Sequence, residues 1–128
     1  MAAQQVVLCD TMIFFQLFQG NEKVKQQLDK IGSEQIACSV ITYSEIIYST
    51  KKTHLFRIKN YFNSIRVISL SENISTKFIG LSLNYSYSHH IKIPDALIAA
   101  TAIHYGIPLF TENKKDFDFI SEIKFYKP

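Results

Sequence analysis

Val6-Val7-Leu8-Cys9-Asp10-Thr11-Met12-Ile13-Phe14-Phe15-Gln16-Leu17-Phe18 sets the reading of the whole chain. Its first four residues are a short apolar run rich in β-formers, and the run stops at Asp10-Thr11, a pair able to cap the helix that Met12 to Phe18 suggest. This is a strand followed by a helix. Outward from it the pattern repeats. Gly20 ends the first helix, and residues 22–31, with apolar Val24, Leu28 and Ile31 at helical spacing, make a second that closes at Gly32. Gln35-Ile36-Ala37-Cys38 is a second short strand, after which Ser39 or Thr42 caps a helix running through Tyr43, Ile46 and Ile47 toward Lys51. Residues 54–63 read as a helix, Val67-Ile68-Ser69-Leu70 as a third strand, and residues 72–85 as a helix with Ile74, Phe78 and Leu81 on one face.

Pro94 opens the clearest helix, because proline suits a first turn and Asp95 adds a negative charge where the helix dipole is positive. It continues to Tyr105 and Gly106 closes it. Pro108-Leu109-Phe110 follows as a fourth strand, and Lys124-Phe125-Tyr126 is the last candidate. Strands this short and apolar, alternating with helices, predict an α/β fold of three layers, α/β/α, with a parallel sheet covered on both faces.

Bulk properties bound the rest. With 128 residues, 47% of them hydrophobic, the chain is expected to form a single domain over residues 1–128 with one substantial core. No internal repeat and no linker rich in Gly, Ser or Pro divides it. Residues 1–5 carry no basic side chain and the apolar run after them is short, so no signal peptide is expected. No apolar run approaches the roughly 18 residues of a membrane span, and a soluble cytoplasmic protein is the expectation. Cys9 and Cys38 belong to no CxxC motif and end aliphatic runs, where a thiol serves as a small hydrophobe.

The net charge of +3 is modest but unevenly spread: no acidic residue lies between Glu45 and Glu72. That interval holds Lys51, Lys52, Arg57, Lys59 and Arg66, interleaved with Phe56, Tyr61 and Phe62. The pattern suits a phosphate backbone, and it equally suits a solvated helix with its rings in the core.

Residues directly after the strands are the ones to inspect, since ligands of open α/β sheets bind beyond the strands' carboxyl ends. Asp10 is the first such residue. Glu45 falls near the start of the helix after the second strand, about one turn from the sheet edge. Asp95 opens the helix before the fourth strand and should face the same edge, and Thr111, Glu112, Asn113 and Asp116 follow that strand. Two unit charges about 4 Å apart repel by roughly 4 kcal/mol at an effective dielectric near 20, so several acids at one edge need a cation or must hold protons. Hard oxygen ligands suit Mg²⁺ or Mn²⁺, and the chemistry such a site offers is metal-assisted attack of water on a phosphodiester. Taken singly, Asp10 can be an N-cap, Asp95 a dipole partner and Glu45 an amphipathic helix edge. Their joint placement is what favours chemistry. His89-His90 lack the i, i+4 spacing of a helical metal site and suggest a packing or exposed role.

Val7-Leu8-Cys9-Asp10-Thr11, Ser39-Val40-Ile41-Thr42-Tyr43-Ser44-Glu45, Pro94-Asp95-Ala96-Leu97-Ile98-Ala99-Ala100-Thr101-Ala102 and Leu109-Phe110-Thr111-Glu112-Asn113-Lys114-Lys115-Asp116-Phe117, in that order, resemble the PIN-domain family, above all its VapC-type toxins. The resemblance implies a sheet of about five parallel strands, a Mg²⁺- or Mn²⁺-dependent endoribonuclease acting on RNA, a homodimer, and an antitoxin partner that blocks the site. Asp10, Glu45 and Asp95 match the three acids of the family core, with Asp10 and Asp95 as metal ligands and Glu45 and Asp116 placed for water or a second ion. Thr11 matches a polar residue that helps hold the first acid. Many members carry an aspartate two residues after the threonine matched by Thr111. Here that position is Asn113, which brings no charge, and Asp116 can supply the missing carboxylate. The alternatives are a PIN-fold module that binds RNA or a protein partner without cutting and, more remotely, a receiver-like domain that accepts a phosphate on one aspartate.

Overall fold

The structure, a computed structural model, describes residues 5–128. Residues 1–4, part of the stretch in which no signal peptide is expected, lie outside it. The elements run β1 (Val7–Cys9), α1 (Thr11–Phe18), α2 (Glu22–Ile31), β2 (Ile36–Ser39), α3 (Val40–Ser49), a 3₁₀ turn at Lys52–His54, α4 (Leu55–Asn63), β3 (Arg66–Ile68), α5 (Glu72–Tyr85), α6 (Ile93–Tyr105), β4 (Leu109–Phe110) and a 3₁₀ turn at Lys114–Asp116.

Local chemistry explains where the helices begin. Asp10, Asn21, Ser39 and Ser71 each turn a side-chain oxygen onto a backbone N–H of the first turn, those of Ile13, Val24, Ile41 and Ile74. Of the two caps considered for α3, Ser39 takes the role, which leaves the Thr42 hydroxyl free for other use. Pro94 sits in the first turn of α6, and Gly106 ends that helix in the left-handed conformation at φ 62°.

The strands form one parallel sheet in the order β3-β2-β1-β4. It has four strands, and the fifth expected at residues 124–126 reduces to a single parallel bridge between Leu109 and Phe125. The reason lies in β4. The N–H and C=O of Leu109 point outward and pair with Lys124 and Tyr126, whereas the C=O of Phe110 points inward to the N–H of Asp10. A two-residue strand therefore offers its outer edge one residue only.

The pleat sorts side chains into two cores. Val7, Cys9, Ile36, Cys38 and Phe110 face one layer with Ile13, Phe14, Val24, Leu28, Ile46, Ile58 and Phe62. Leu8, Ala37 and Leu109 face the other with Ile74, Leu81, Ile98, Ala99, Ala102, Phe117 and Ile120. The three layers follow from this alternation. Both cysteines are buried and unpaired, and burial pushes their thiols up, Cys38 to about 12, which fits space-filling and leaves no ready thiolate. Among the described residues no helix is long and apolar enough to cross a membrane.

The aromatic residues of the basic interval divide between core and surface. Phe62 is 2% exposed, stacks on Tyr43 at 4.4 Å and meets Phe14 at 5.2 Å, and Tyr61 packs edge-on against Phe18. Phe56 is 76% exposed. Phe62→Ala is therefore expected to cost about 3–5 kcal/mol in urea unfolding, against within about 0.5 kcal/mol for Phe56→Ala. Equal losses would mean that the aromatic cluster does not anchor α4.

Candidate active site

Asp10 leaves β1 and caps α1 in one residue, and at 5% exposure it is the most buried acid of the candidate site. Its Oδ1 accepts the Ile13 N–H at 3.3 Å, and its Oδ2 accepts the hydroxyl of Thr111, which stands just past β4. Thr111 is itself held, since its oxygen accepts the Asn113 N–H at 3.0 Å. Burial pushes the Asp10 carboxyl above the usual range; the hydrogen bonds from Thr111, Ile13 and Met12 pull the other way, and the charge of Asp116 adds to the rise.

Asp95 lies in the first turn of α6, partly buried. Burial pushes its carboxyl up to about 6, helped by the charges of Asp116, Asp10 and Glu45 and opposed by Lys92. Asp10, Asp116 and Glu45 thus all lie within electrostatic reach of Asp95, although 106 positions separate Asp10 from Asp116 (116 − 10). They form a loose ring: among the described residues no three acidic, histidine or cysteine side chains converge as a ready-made ligand cage. Neither described salt bridge, Lys25–Asp29 or Lys77–Glu122, reaches the ring. Buried Asp10 and half-buried Asp95 and Glu45, the first two pushed up by burial, offer the oxygen donors of a hard divalent-cation site.

The supporting residues divide their work differently from the expectation drawn from resemblance. Thr11 was expected to steady Asp10. It donates instead to Glu45 Oε1 at 2.8 Å and meets Thr42 Oγ1 at 3.1 Å, and Thr111 is the residue that steadies Asp10. The cause is position, since Thr11 is already inside α1 and faces α3, whereas Asp10 faces the end of β4. Asn113 contributes through its backbone. Its side chain is exposed, its N–H holds Thr111, and its C=O accepts the Asp116 N–H at 3.0 Å, so it shapes the turn that carries Asp116. Thr42, fully buried, belongs to this network, while Ser39 caps the helix. The signal was available in Thr42-x-x-Glu45, a spacing that puts both side chains on one helical face.

Other candidates lie elsewhere. Arg57 donates to the Phe18 carbonyl at 3.2 Å and covers the Phe18 ring at 5.5 Å, so it closes the far end of α1, about 12 Å of helix from Asp10. Lys51, Lys52 and Lys59 are exposed. His89 stacks on Phe119 at 4.3 Å and accepts or donates at Ser88.

A model of the PIN domain matches residues 7–122. The chain belongs to the PIN-domain family. It is similar to Ribonuclease VapC1 of Methanocaldococcus jannaschii, at 30% identity over 119 residues that cover 91% of this chain and 82% of that protein. Among solved structures it resembles a chain of a toxin–antitoxin complex from Klebsiella pneumoniae, with a TM-score of 0.79, 33% identity and coverage of 95% and 99% of the two chains. It also matches a chain of VapBC2 from Rickettsia felis bound to a promoter DNA fragment, with a TM-score of 0.81, 21% identity and coverage of 95% and 98%, a likeness of fold. The PIN fold therefore accounts for the three layers.

The raised Asp95 carboxyl has a signed consequence for stability. Its ordinary value is 3.8 and its folded value about 6, so across that window the folded chain keeps a proton that the unfolded chain has lost. Stability from this group is then fullest at the acidic end and falls as pH rises through the window. Asp95→Asn removes the effect. In thermal melts without divalent cation, the variant is expected to gain on the parent steadily from about pH 4 to about pH 6 and to melt higher at neutral pH. A difference independent of pH would show that Asp95 carries no such load.

Proposed function

We propose that this chain is a Mg²⁺- or Mn²⁺-dependent endoribonuclease and the toxin of a toxin–antitoxin pair. The observation that carries the reading is the ring of Asp10, Glu45, Asp95 and Asp116 at the strand ends of a PIN fold, with the Asp95 carboxyl pushed up to about 6 by burial and by its acidic neighbours. Similarity to a protein named as a ribonuclease, and to a chain of a solved toxin–antitoxin complex, supports the substrate class and the partner.

Asp10 and Asp95 are the residues that would hold the cation, with Glu45 and Asp116 placed for water or for a second ion. A bound divalent cation would neutralise the acids and polarise both the scissile phosphate and an attacking water. The chain's own contribution is order. Thr111 and the Ile13 N–H fix both oxygens of Asp10, Thr11 fixes one oxygen of Glu45, and the Asn113 turn presents Asp116. In this reading Asp116 is the fourth carboxylate and Asn113 acts through its backbone. Lys51, Lys52 and Lys59 are free to meet RNA phosphates, while Arg57 serves α1 first. A homodimer belongs to the same reading, supported by exposed Ile79 and Leu83, one turn apart on α5, and Tyr87 just beyond it.

The test is cleavage of RNA by purified protein with added Mg²⁺ or Mn²⁺. Asp10→Asn and Asp95→Asn are each expected to slow cleavage by a factor on the order of 100 or more, because each removes a charged ligand. Cleavage by either variant at the parent's rate would overturn the assignment. The rival reading, a PIN-fold module that binds RNA or a protein partner without cutting, is favoured by the failure of any three described acids to converge. Calorimetry separates the two: uptake of Mn²⁺ that Asp95→Asn abolishes supports the nuclease, and no uptake supports the binding module.

A further inference from the structure

Thr42 behaves unlike two other helical threonines of this chain. Thr76 and Thr101, on α5 and α6, return their hydroxyls to the carbonyls four residues back, Glu72 and Leu97, as helical threonines commonly do. Thr42, on α3 and 0% exposed, turns its hydroxyl across to Thr11 on α1, 3.1 Å away. A buried hydroxyl aimed out of its own helix calls for a physical reason, and the reason lies one step further along, at Glu45.

The direction of the chain of hydroxyls follows from counting protons. A carboxylate only accepts, so the 2.8 Å contact between Thr11 Oγ1 and Glu45 Oε1 uses the single proton of Thr11. Thr11 can then only accept from Thr42, which has no other hydrogen-bond partner among the described residues. The order is Thr42 to Thr11 to Glu45. Each hydroxyl that accepts a bond becomes a better donor, and the effect is largest where water is excluded, as it is around Thr42 and Thr11.

The consequence is mechanical as well as electrostatic. Glu45 has three side-chain torsions, and an unpinned glutamate gives up rotamer freedom when it is fixed. Thr42 lies one turn before Glu45 on α3, and Thr11 is the first residue of α1, joined directly to Asp10. The relay therefore starts and ends on α3 and passes through the residue beside Asp10, which fixes Glu45 relative to that acid before any ligand arrives. Only Oε1 is used; among the described residues Glu45 Oε2 meets no donor.

We propose that Thr42 is a positioning residue of the candidate active site, whose buried hydroxyl commits the Thr11 proton to Glu45 and so holds that carboxylate on the residue that follows Asp10. The inference rests on the nuclease reading for its effect on rate, but its geometric core does not depend on that reading.

Two substitutions separate the hydroxyl from the space it fills. Thr42→Val keeps the shape and loses the donor, and Thr42→Ser keeps the donor and loses a methyl. With Mn²⁺ and RNA, Thr42→Val is expected to lower kcat about tenfold at unchanged KM, the loss of roughly one hydrogen bond's worth of order. Thr42→Ser is expected to stay within about threefold of the parent, on the same reasoning. Three-bond couplings along the Glu45 side chain, measured by NMR without RNA or metal, are expected to report one rotamer in the parent and in Thr42→Ser, and averaging in Thr42→Val. Mn²⁺ affinity by calorimetry should fall severalfold in Thr42→Val alone. Parent-like couplings in Thr42→Val would overturn the proposal whatever the chain cleaves, and so would a Thr42→Ser variant as impaired as Thr42→Val. If the couplings behave as expected while Asp10→Asn and Asp95→Asn cleave like the parent, the relay stands and the nuclease assignment of the acids falls.

Discussion

Asp10 is tied to the far end of the sequence by one hydroxyl. The Thr111 side chain reaches its carboxylate across 101 positions, and the contact exists because β4 runs parallel to β1, with Cys9 beside Phe110. Everything else at this edge is arranged from that pairing. The Asp10 N–H bonds the Phe110 carbonyl, the turn after Thr111 brings Asp116 within electrostatic reach of Asp10 and Asp95, and α6, which must deliver the chain to the start of β4, opens beside the same edge with Asp95 in its first turn. A parallel sheet thus converts distant segments into neighbours without any local sequence signal between them.

That arrangement sets stability against readiness. Moving carboxyls out of water and toward one another raises their affinity for protons, which is why Asp10 and Asp95 both move upward while Asp10 still accepts hydrogen bonds from Thr111 and the Ile13 N–H. In a chain built for stability alone, a lysine or arginine would face these acids. At Asp95 the charge of Lys92 opposes the rise, while those of Asp116, Asp10 and Glu45 add to it. This gathering of carboxyls is the feature on which the proposed cation site rests.

Much of the fold was legible because its signals are local. The apolar run at Val7–Cys9, the caps at Asp10 and Asn21, and Pro94 with Gly106 around α6 each express a backbone preference within a few residues. The weak points were elements whose existence depends on a neighbour. Phe125 forms a bridge rather than a strand because β4 offers a single outward residue, and nothing in Lys124-Phe125-Tyr126 itself reveals that. The basic interval was ambiguous for the same reason: whether Phe62 faces solvent or core is decided by Phe14 and Tyr43 on other helices. At the candidate site the acids were legible as residues, since strand ends and helix starts are readable. Their hydrogen-bond partners were not, because a threonine hydroxyl carries no sequence mark of where it points.

The two threonines next to the acids make this concrete. Thr11 and Thr111 each follow a strand closely, and either could have served Asp10. Thr111 does so because it approaches from β4, directly beside β1, whereas Thr11 has already entered α1 and its side chain meets α3. One hydroxyl therefore orders the acid of the sheet and the other the acid of the helix. Two carboxylates held by separate donors can keep separate orientations, and a loose ring of acids can then be shaped by its hydroxyls even where no three of its carboxylates touch a common point.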